Sequence, residues 1–139
     1  MSQRTFIDTN VLIYADDAAA GLKRERARAV LRRLIGASQA VVSTQVLQEF
    51  FVIATKKLGV PADLARRKVE RLAQLEVVLV RPELILGAID LHRLHGISFW
   101  DALVLRSASA AGCTRVLTED LNAGQVIDGV RVENPFAAR

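Results

Sequence analysis

The chain has 139 residues, enough to bury one core but not two, so a single domain spanning residues 1–139 is expected. Its residues are 51% hydrophobic and 5% aromatic, which excludes a disordered tail and calls for a core of Leu, Val, Ile and Ala. The net charge is +4, and a lone cysteine, Cys113, excludes an internal disulfide and a cysteine metal site. In chain order, Arg4 to Asp8 reads as a short β-prone strand ending on an acid. Asn10 to Asp17 follows as a helix that Thr9 or Asn10 can cap. Lys23 to Ile35 is a basic helix with apolar Ala27, Val30, Leu31 and Leu34, stopped by Gly36. Gln39 to Ser43 is a second strand, Thr44 to Leu58 a helix ended by Gly59, and Pro61 opens another helix to Leu75. Val77 to Val80 is an unbroken apolar run, predicted as a strand covered on both faces.

Pro82 starts a helix to His95, with Gly96 as its stop. Ser98 to Ala111 is apolar nearly all round and is expected to be central. Thr114 to Leu117 is a further strand, and the tail from Gly124 reads as one or two short strands or a hairpin. Strands alternating with helices predict an α/β fold, a central, mostly parallel sheet flanked by helices on both faces. No apolar run reaches the ~18 residues needed to span a bilayer. Met1-Ser2-Gln3-Arg4-Thr5 lacks the basic-then-apolar layout of a signal peptide, so a cytoplasmic chain with no membrane association is expected.

The acids fall at informative places. Ligands of open α/β sheets bind outside the carboxyl ends of the strands, where Asp8 and Thr118-Glu119-Asp120 both lie. Each alone fits a helix cap or turn former; neighbouring parallel strands would bring both to one crevice. Asp101 stands three residues after Ser98, the spacing of a capping box, yet it also opens a buried helix. A carboxylate there needs a cation or hydrogen-bond donors. Glu49 sits at the border of an apolar helix face, three after Val46 and four before Ile53, with Gln45 and Lys56 nearer the opposite, solvated side. It is either a ligand or a border residue whose stem covers apolar surface. Four carboxylates in one crevice would repel and raise one another's pKa unless a cation joined them. Oxygen ligands without Cys or suitably spaced His select Mg²⁺ or Mn²⁺, ions suited to phosphodiester hydrolysis. Without these four acids the chain would carry +8, the surface a polyanion requires.

Phe6-Ile-Asp8-Thr-Asn10-Val-Leu-Ile-Tyr14, Ser43-Thr-Gln-Val-Leu-Gln-Glu49-Phe50, Ile97-Ser-Phe-Trp-Asp101-Ala-Leu and Leu117-Thr-Glu-Asp120 occur in that order. Together they resemble the PIN domain, and specifically VapC-type toxins of bacterial toxin–antitoxin pairs. The resemblance implies a PIN-like fold, a metal-dependent endoribonuclease acting on RNA, and Mg²⁺ or Mn²⁺ held by Asp8, Glu49, Asp101 and Asp120. It further implies supporting hydroxyls at Thr9 and Thr118, Asn10 beside the first acid, a homodimer, and a VapB-like antitoxin that inserts a basic side chain among the acids. Glu119 falls at a variable family position. On this basis Asp8 and Asp101 are expected as main ligands, Asp120 as a further or second-ion ligand, and Glu49 as ligand or general base. Thr118 is expected to orient the attacking water.

Two other readings compete. An aspartate-nucleophile phosphatase would also end a strand on Phe-Ile-Asp8, but its acid/base aspartate two residues on is replaced by Asn10. A non-catalytic RNA- or protein-binding module would use the acids only as caps. Lys23, Arg24, Arg26, Arg28, Arg32 and Arg33 form one basic cluster and Arg66, Arg67, Lys68 and Arg71 another; each fits phosphate binding or a solvated helix face. His92 and His95 lack zinc-helix spacing and read as structural or surface residues. Trp100 is expected as buried packing, with base stacking as the alternative. Cys113 reads as a small apolar filler. Phe50, Phe51 and Leu58 give one helix more apolar surface than a single core contact needs.

Overall fold

Successive residues of a strand point to opposite faces, so a strand buried throughout needs cover on both sides. β1 (Thr5–Ile7) and β2 (Ala40–Ser43) are buried at every position. They are neighbouring inner strands of a six-stranded sheet in the computed structural model, which describes residues 3–137. The order is β3-β2-β1-β4-β6-β5, with β3 (Glu76–Val78), β4 (Arg115–Leu117), β5 (Val126–Ile127) and β6 (Val130–Glu133). All neighbouring pairs are parallel except β5 and β6. Helix pairs make the crossovers. α1 (Thr9–Asp16) and α2 (Leu22–Gly36) join β1 to β2; α3 (Thr44–Lys56) and α4 (Ala62–Leu72) join β2 to β3; α5 (Pro82–His95) and α6 (Phe99–Ala110) join β3 to β4. Parallel strands require such crossovers because a tight turn can only reverse the chain.

From β1 the chain first builds outward through β2 and β3, then returns to add β4 on the other side. The crevice between the carboxyl ends of β1 and β4 is therefore the switch point of the sheet, where α/β folds bind ligands. Phe6, Val116 and Val132 stand in register on one face; Thr5, Arg115 and Arg131 stand in register on the other. One apolar cluster runs through Phe6, Val42, Phe50, Leu105 and Val116, all fully or almost fully buried. α6 lies within it, burying the run Ala102 to Leu105 as expected of a helix apolar all round. Truncating a buried aromatic such as Phe50 to Ala typically costs about 3–5 kcal/mol.

Several expectations change. The strand expected at Val77 to Val80 is β3, shifted to Glu76–Val78, and it is not covered on both faces. It pairs only with β2 at the sheet edge, so its residues are half-buried or exposed. The first helix starts at Thr9, with Asp8 itself as its N-cap. The helix opened by Pro61 ends at Leu72 instead of Leu75, because the chain turns at Ala73 to enter β3. The tail is a hairpin, β5 to β6, closed by Asp128 and Gly129 at φ 53° and 77°. Two left-handed residues are the requirement of the tight turn that matches strand twist, which Asp-Gly satisfies. Among the described residues no helix is long and apolar enough to cross a membrane.

Candidate active site

Three of the acids stand at or just beyond the end of an element, and Glu49 stands inside a helix. Asp8 follows β1, caps α1, and is 6% exposed. Its Oδ1 accepts from the Thr9 backbone N–H at 2.7 Å, and its Oδ2 accepts from the Thr118 hydroxyl at 2.8 Å. Thr118 is itself fully buried, directly after β4, and its oxygen accepts from the Asp120 backbone N–H at 3.1 Å. Asp120 is placed by Asn10, whose amide donates to its Oδ2 at 3.1 Å. Asn10 also reaches Thr118 Oγ1 at 3.3 Å. Thus α1 and the loop after β4 lock together through four side chains.

Ser43 ends β2 and caps α3, its hydroxyl accepting from the Val46 N–H at 3.3 Å. This immediate strand-to-helix step puts Gln45, Glu49 and Ile53, spaced by four, along one stripe of α3 that the C-cap residue Lys57 continues. Glu49 Oε1 accepts from the Thr9 hydroxyl at 2.8 Å, and Gln45 reaches Glu49 Oε2 at 3.5 Å. Ser98 caps α6 and accepts from the Asp101 N–H at 3.1 Å, which fixes the first turn and leaves the Asp101 carboxylate half-buried. The capping relation and the placement near the other acids are therefore both real.

Asp8, Glu49, Asp101 and Asp120 line one cavity of about 230 Å³. Asp17 adds a fifth acid, and Lys57 is the one basic residue on the same wall. Burial, chiefly, pushes Asp8 up to about 6; its bonds from Thr118 and Thr9 act downward, and the charges of Asp120 and Glu49 add to the rise. Asp101 is raised for the same first reason, with Asp120 and Glu49 repelling it further and Ser98 opposing. None of the ion pairs among the described residues uses these four acids. Nor do three His, Cys, Asp or Glu side chains among the described residues stand together as a ready-made metal centre. Neutral donors tether the carboxylates individually instead.

Whether a cation suits the site is decided by its acceptors. Gln45 Oε1 and Asn10 Oδ1 are buried, line this cavity, and have no hydrogen-bond partner. Buried polar atoms are rarely left so, because each costs about 1–3 kcal/mol unsatisfied. Two orphan carbonyl oxygens beside uncompensated carboxylates form an all-oxygen, acceptor-rich set that a hard divalent cation and its water shell would satisfy. The residues fit such an ion.

Gln45 is a residue that sequence reasoning missed. It was expected on the solvated side of its helix with Lys56; Lys56 is exposed, but Gln45 is 6% exposed and faces the acids. Trp100 is a second correction: it is 60% exposed at the cavity rim, its ring edge-on to Phe99 at 5.1 Å, and not buried packing. Glu119 points away from the cavity and is held by Tyr14 at 2.5 Å and Lys23 at 2.6 Å. His92 and His95 lie outside the cavity, with His92 Nδ1 2.5 Å from the Ile97 carbonyl oxygen. Cys113 is buried, and that burial pushes its thiol up to about 11, the inert state of a core filler.

The family model of the PIN domain matches residues 5–127. The chain belongs to the PIN domain family. This PIN domain also shares its fold with solved structures. It superimposes on a chain of a toxin–antitoxin complex from Klebsiella pneumoniae with a TM-score of 0.74 at 20% identity, covering 96% of this chain and 99% of that one. A chain of the DNA-bound VapBC complex from Salmonella typhimurium gives 0.67 at 21% identity, covering 97% and 99%. VapC20 of Mycobacterium tuberculosis, described as a sarcin-ricin loop cleaving toxin, gives 0.65 at 20% identity, covering 81% and 86%. No curated protein matches the sequence significantly.

Proposed function

We propose that this PIN domain is a metal-dependent endoribonuclease that hydrolyses RNA phosphodiester bonds, acting as one domain and as the toxin of a type II toxin–antitoxin pair. One observation carries the reading: four carboxylates from four separate segments line a single cavity at the sheet's switch point, next to two orphan carbonyl oxygens. Two solved structures that share the fold are a toxin–antitoxin complex and a VapBC complex, and VapC20 is described as a sarcin-ricin loop cleaving toxin, which supports both halves of the proposal.

Asp8, Glu49, Asp101 and Asp120 would hold Mg²⁺ or Mn²⁺, which when bound supplies polarisation of a phosphate oxygen and a more acidic water. The remaining work belongs to the chain. The Thr9 amide and the Thr118 hydroxyl hold both oxygens of Asp8, so the most buried acid keeps one orientation. The water-orienting role expected of Thr118 becomes a positioning one: fully buried, its hydroxyl donates to Asp8 and accepts from Asn10 and the Asp120 N–H, which holds both acids and uses all its hydrogen bonds. Glu49 keeps one oxygen on Thr9 and has the other only weakly engaged at 3.5 Å, leaving it able to accept a proton. Trp100 offers an exposed aromatic face at the rim, on which a nucleobase can stack. A VapB-like antitoxin and a second copy of the chain are the proposed protein partners. Exposed Phe51 and Val52 on α3 and Leu64 on α4 provide apolar surface for such contacts.

The test is cleavage of total RNA by the purified, antitoxin-free protein with Mg²⁺, Mn²⁺ or EDTA, beside a folded Asp101→Asn variant. Discrete products that need the ion and vanish in the variant are expected. Cleavage that survives EDTA would remove the metal-dependent mechanism. No cleavage and no ion binding would leave a non-catalytic binding module.

A further inference from the structure

Among the described residues a second cavity is larger than the acid site. It is an open groove of about 1010 Å³ whose walls include Arg26 and Arg33 of α2, Arg115 of β4 and Arg131 of β6. Register explains its existence. β1 is buried on both faces, but β6 alternates: Val130 and Val132 are buried while Arg131 and Glu133 face outward. Arg115 stands opposite Arg131, and Leu117 opposite Glu133, so the β4–β6 part of one sheet face is left partly uncovered and is bounded by α2.

Two of the four arginines are committed to the fold. Arg26 donates to the Phe136 carbonyl at 3.1 Å, and Arg115 donates to Thr5 Oγ1 at 2.8 Å and Glu133 at 3.1 Å. Arg33 and Arg131 are exposed and carry no ion pair among the described residues. Glu133 is the one acid on the groove wall. Four like charges against the single Glu133 favour an anionic ligand, and guanidinium forks match phosphate oxygens.

The groove also touches the acid site through one loop. Asp120 lines the acid cavity, and Ala123 and Gly124, three and four residues later, line the groove. Leu117 lies in the groove wall, while its neighbour Thr118 holds Asp8. We infer that the groove is a second nucleic-acid site, taking the phosphates of an RNA strand that flank the bond presented to the acids. The choice of RNA rests on the nuclease reading. The acid cavity, with five carboxylates against one lysine, repels a polyanion, so neighbouring phosphates need a separate place to bind.

The experiment is fluorescence anisotropy of an end-labelled single-stranded RNA dodecamer in EDTA, across a series of salt concentrations, using the full chain. The double variant Arg33→Gln/Arg131→Gln is compared with wild type and with Arg66→Gln/Arg67→Gln on α4, which removes the same charge elsewhere. The groove variant should bind roughly tenfold more weakly, and its log K against log salt slope should fall by about 1.4, the loss of two single-strand phosphate contacts. The α4 variant should stay close to wild type. Equal losses in both variants, or no loss in the groove variant, would overturn the proposal. Displacement of the RNA by poly-glutamate at equal charge would overturn it too, assigning the groove to an acidic peptide. Both substitutions are at exposed positions, and an unchanged thermal transition verifies folding. Binding in EDTA is independent of cleavage, so groove-dependent binding without any nuclease activity would sink the enzyme reading and leave the groove standing.

Discussion

At the scale of single residues, Asp8 holds opposed demands. Burial raises its pKa from 3.8 to about 6, so the unfolded chain gives up this proton at lower pH than the folded one. The contribution of neutral Asp8 is fully present below pH 3.8 and is lost as pH rises through about 6. At neutral pH the metal-free chain therefore forgoes about 3 kcal/mol relative to a neutral group. Asp8→Asn keeps a good N-cap. It should raise the melting temperature of the metal-free protein at pH 8, remove much of the stability change between pH 4 and 6, and abolish cleavage. Thermal melts over that range check the first two; an unchanged pH profile would count against a strained acid. Gln45→Leu should weaken Mn²⁺ binding, measured by calorimetry, by roughly 3- to 10-fold, while leaving the fold intact because an apolar group removes an orphan acceptor. Asp8 was legible because strand ends at a sheet's switch point collect ligands. Gln45 was not, because helical periodicity separates apolar from polar faces and cannot tell a polar residue facing a cavity from one facing water. Trp100 escaped for a related reason: its turn precedes the buried run Ala102 to Leu105, so an aromatic beside an acid marked the rim and not the core.

At the scale of elements, the loop after β4 has two anchors. Asn10 and Thr118 hold its inner side, and Glu119 holds its outer side to α1 and α2. Burial alone would raise the Glu119 pKa, but the donors Lys23 and Tyr14 outweigh it and the net shift is downward. Lys23 also lies 4.8 Å from the Tyr14 ring centre, and Tyr14 packs edge-on against Phe136 at 4.9 Å. Glu119 therefore positions Asp120 without joining it in the cavity. Glu119→Ala should speed amide exchange over residues 118–122, cost about 1 kcal/mol in global stability, and lower kcat several-fold with little change in KM. If exchange in that loop stayed at the wild-type rate, the positioning role would be lost. Element identity was widely legible, since caps such as Ser98 and the Gly96 stop are local chemistry. The setting of β3 was not: an unbroken apolar run reads the same in a central strand as in an edge strand half-covered by helices.

The whole molecule separates its charge into an acid cavity and a groove walled by four arginines, joined by one loop. Strand order decides that arrangement, and strand order depends on which crossovers pack against which strands, information spread over the entire chain. The acids could be picked out one at a time; the groove could not, because Arg33, Arg115 and Arg131 lie far apart in sequence and share a wall only once β4 and β6 are in register. Because the site's acceptors are preformed but uncompensated, ion binding should stabilise the fold as a whole. Mn²⁺ at about 100 times its Kd should add about 2.7 kcal/mol, a rise of roughly 5–15 °C in Tm. EDTA should reverse that rise, and it should shrink at pH 5 as Asp8 takes up its proton. A melting temperature insensitive to the ion at pH 8 would contradict the fit of the site.

Trp100 is the chain's single tryptophan, and it stands largely in water at the mouth of the acid cavity. Excited at wavelengths that Tyr14 does not absorb, the protein thus has one emitter, and it is located where ligands arrive. Its emission reports neither the core nor the groove. A base laid on the indole would quench it, an ion below would shift it, and an arriving partner that dried the rim would move its maximum to shorter wavelength. Occupancy of the mouth can be followed in unlabelled protein, in real time, by light from one side chain.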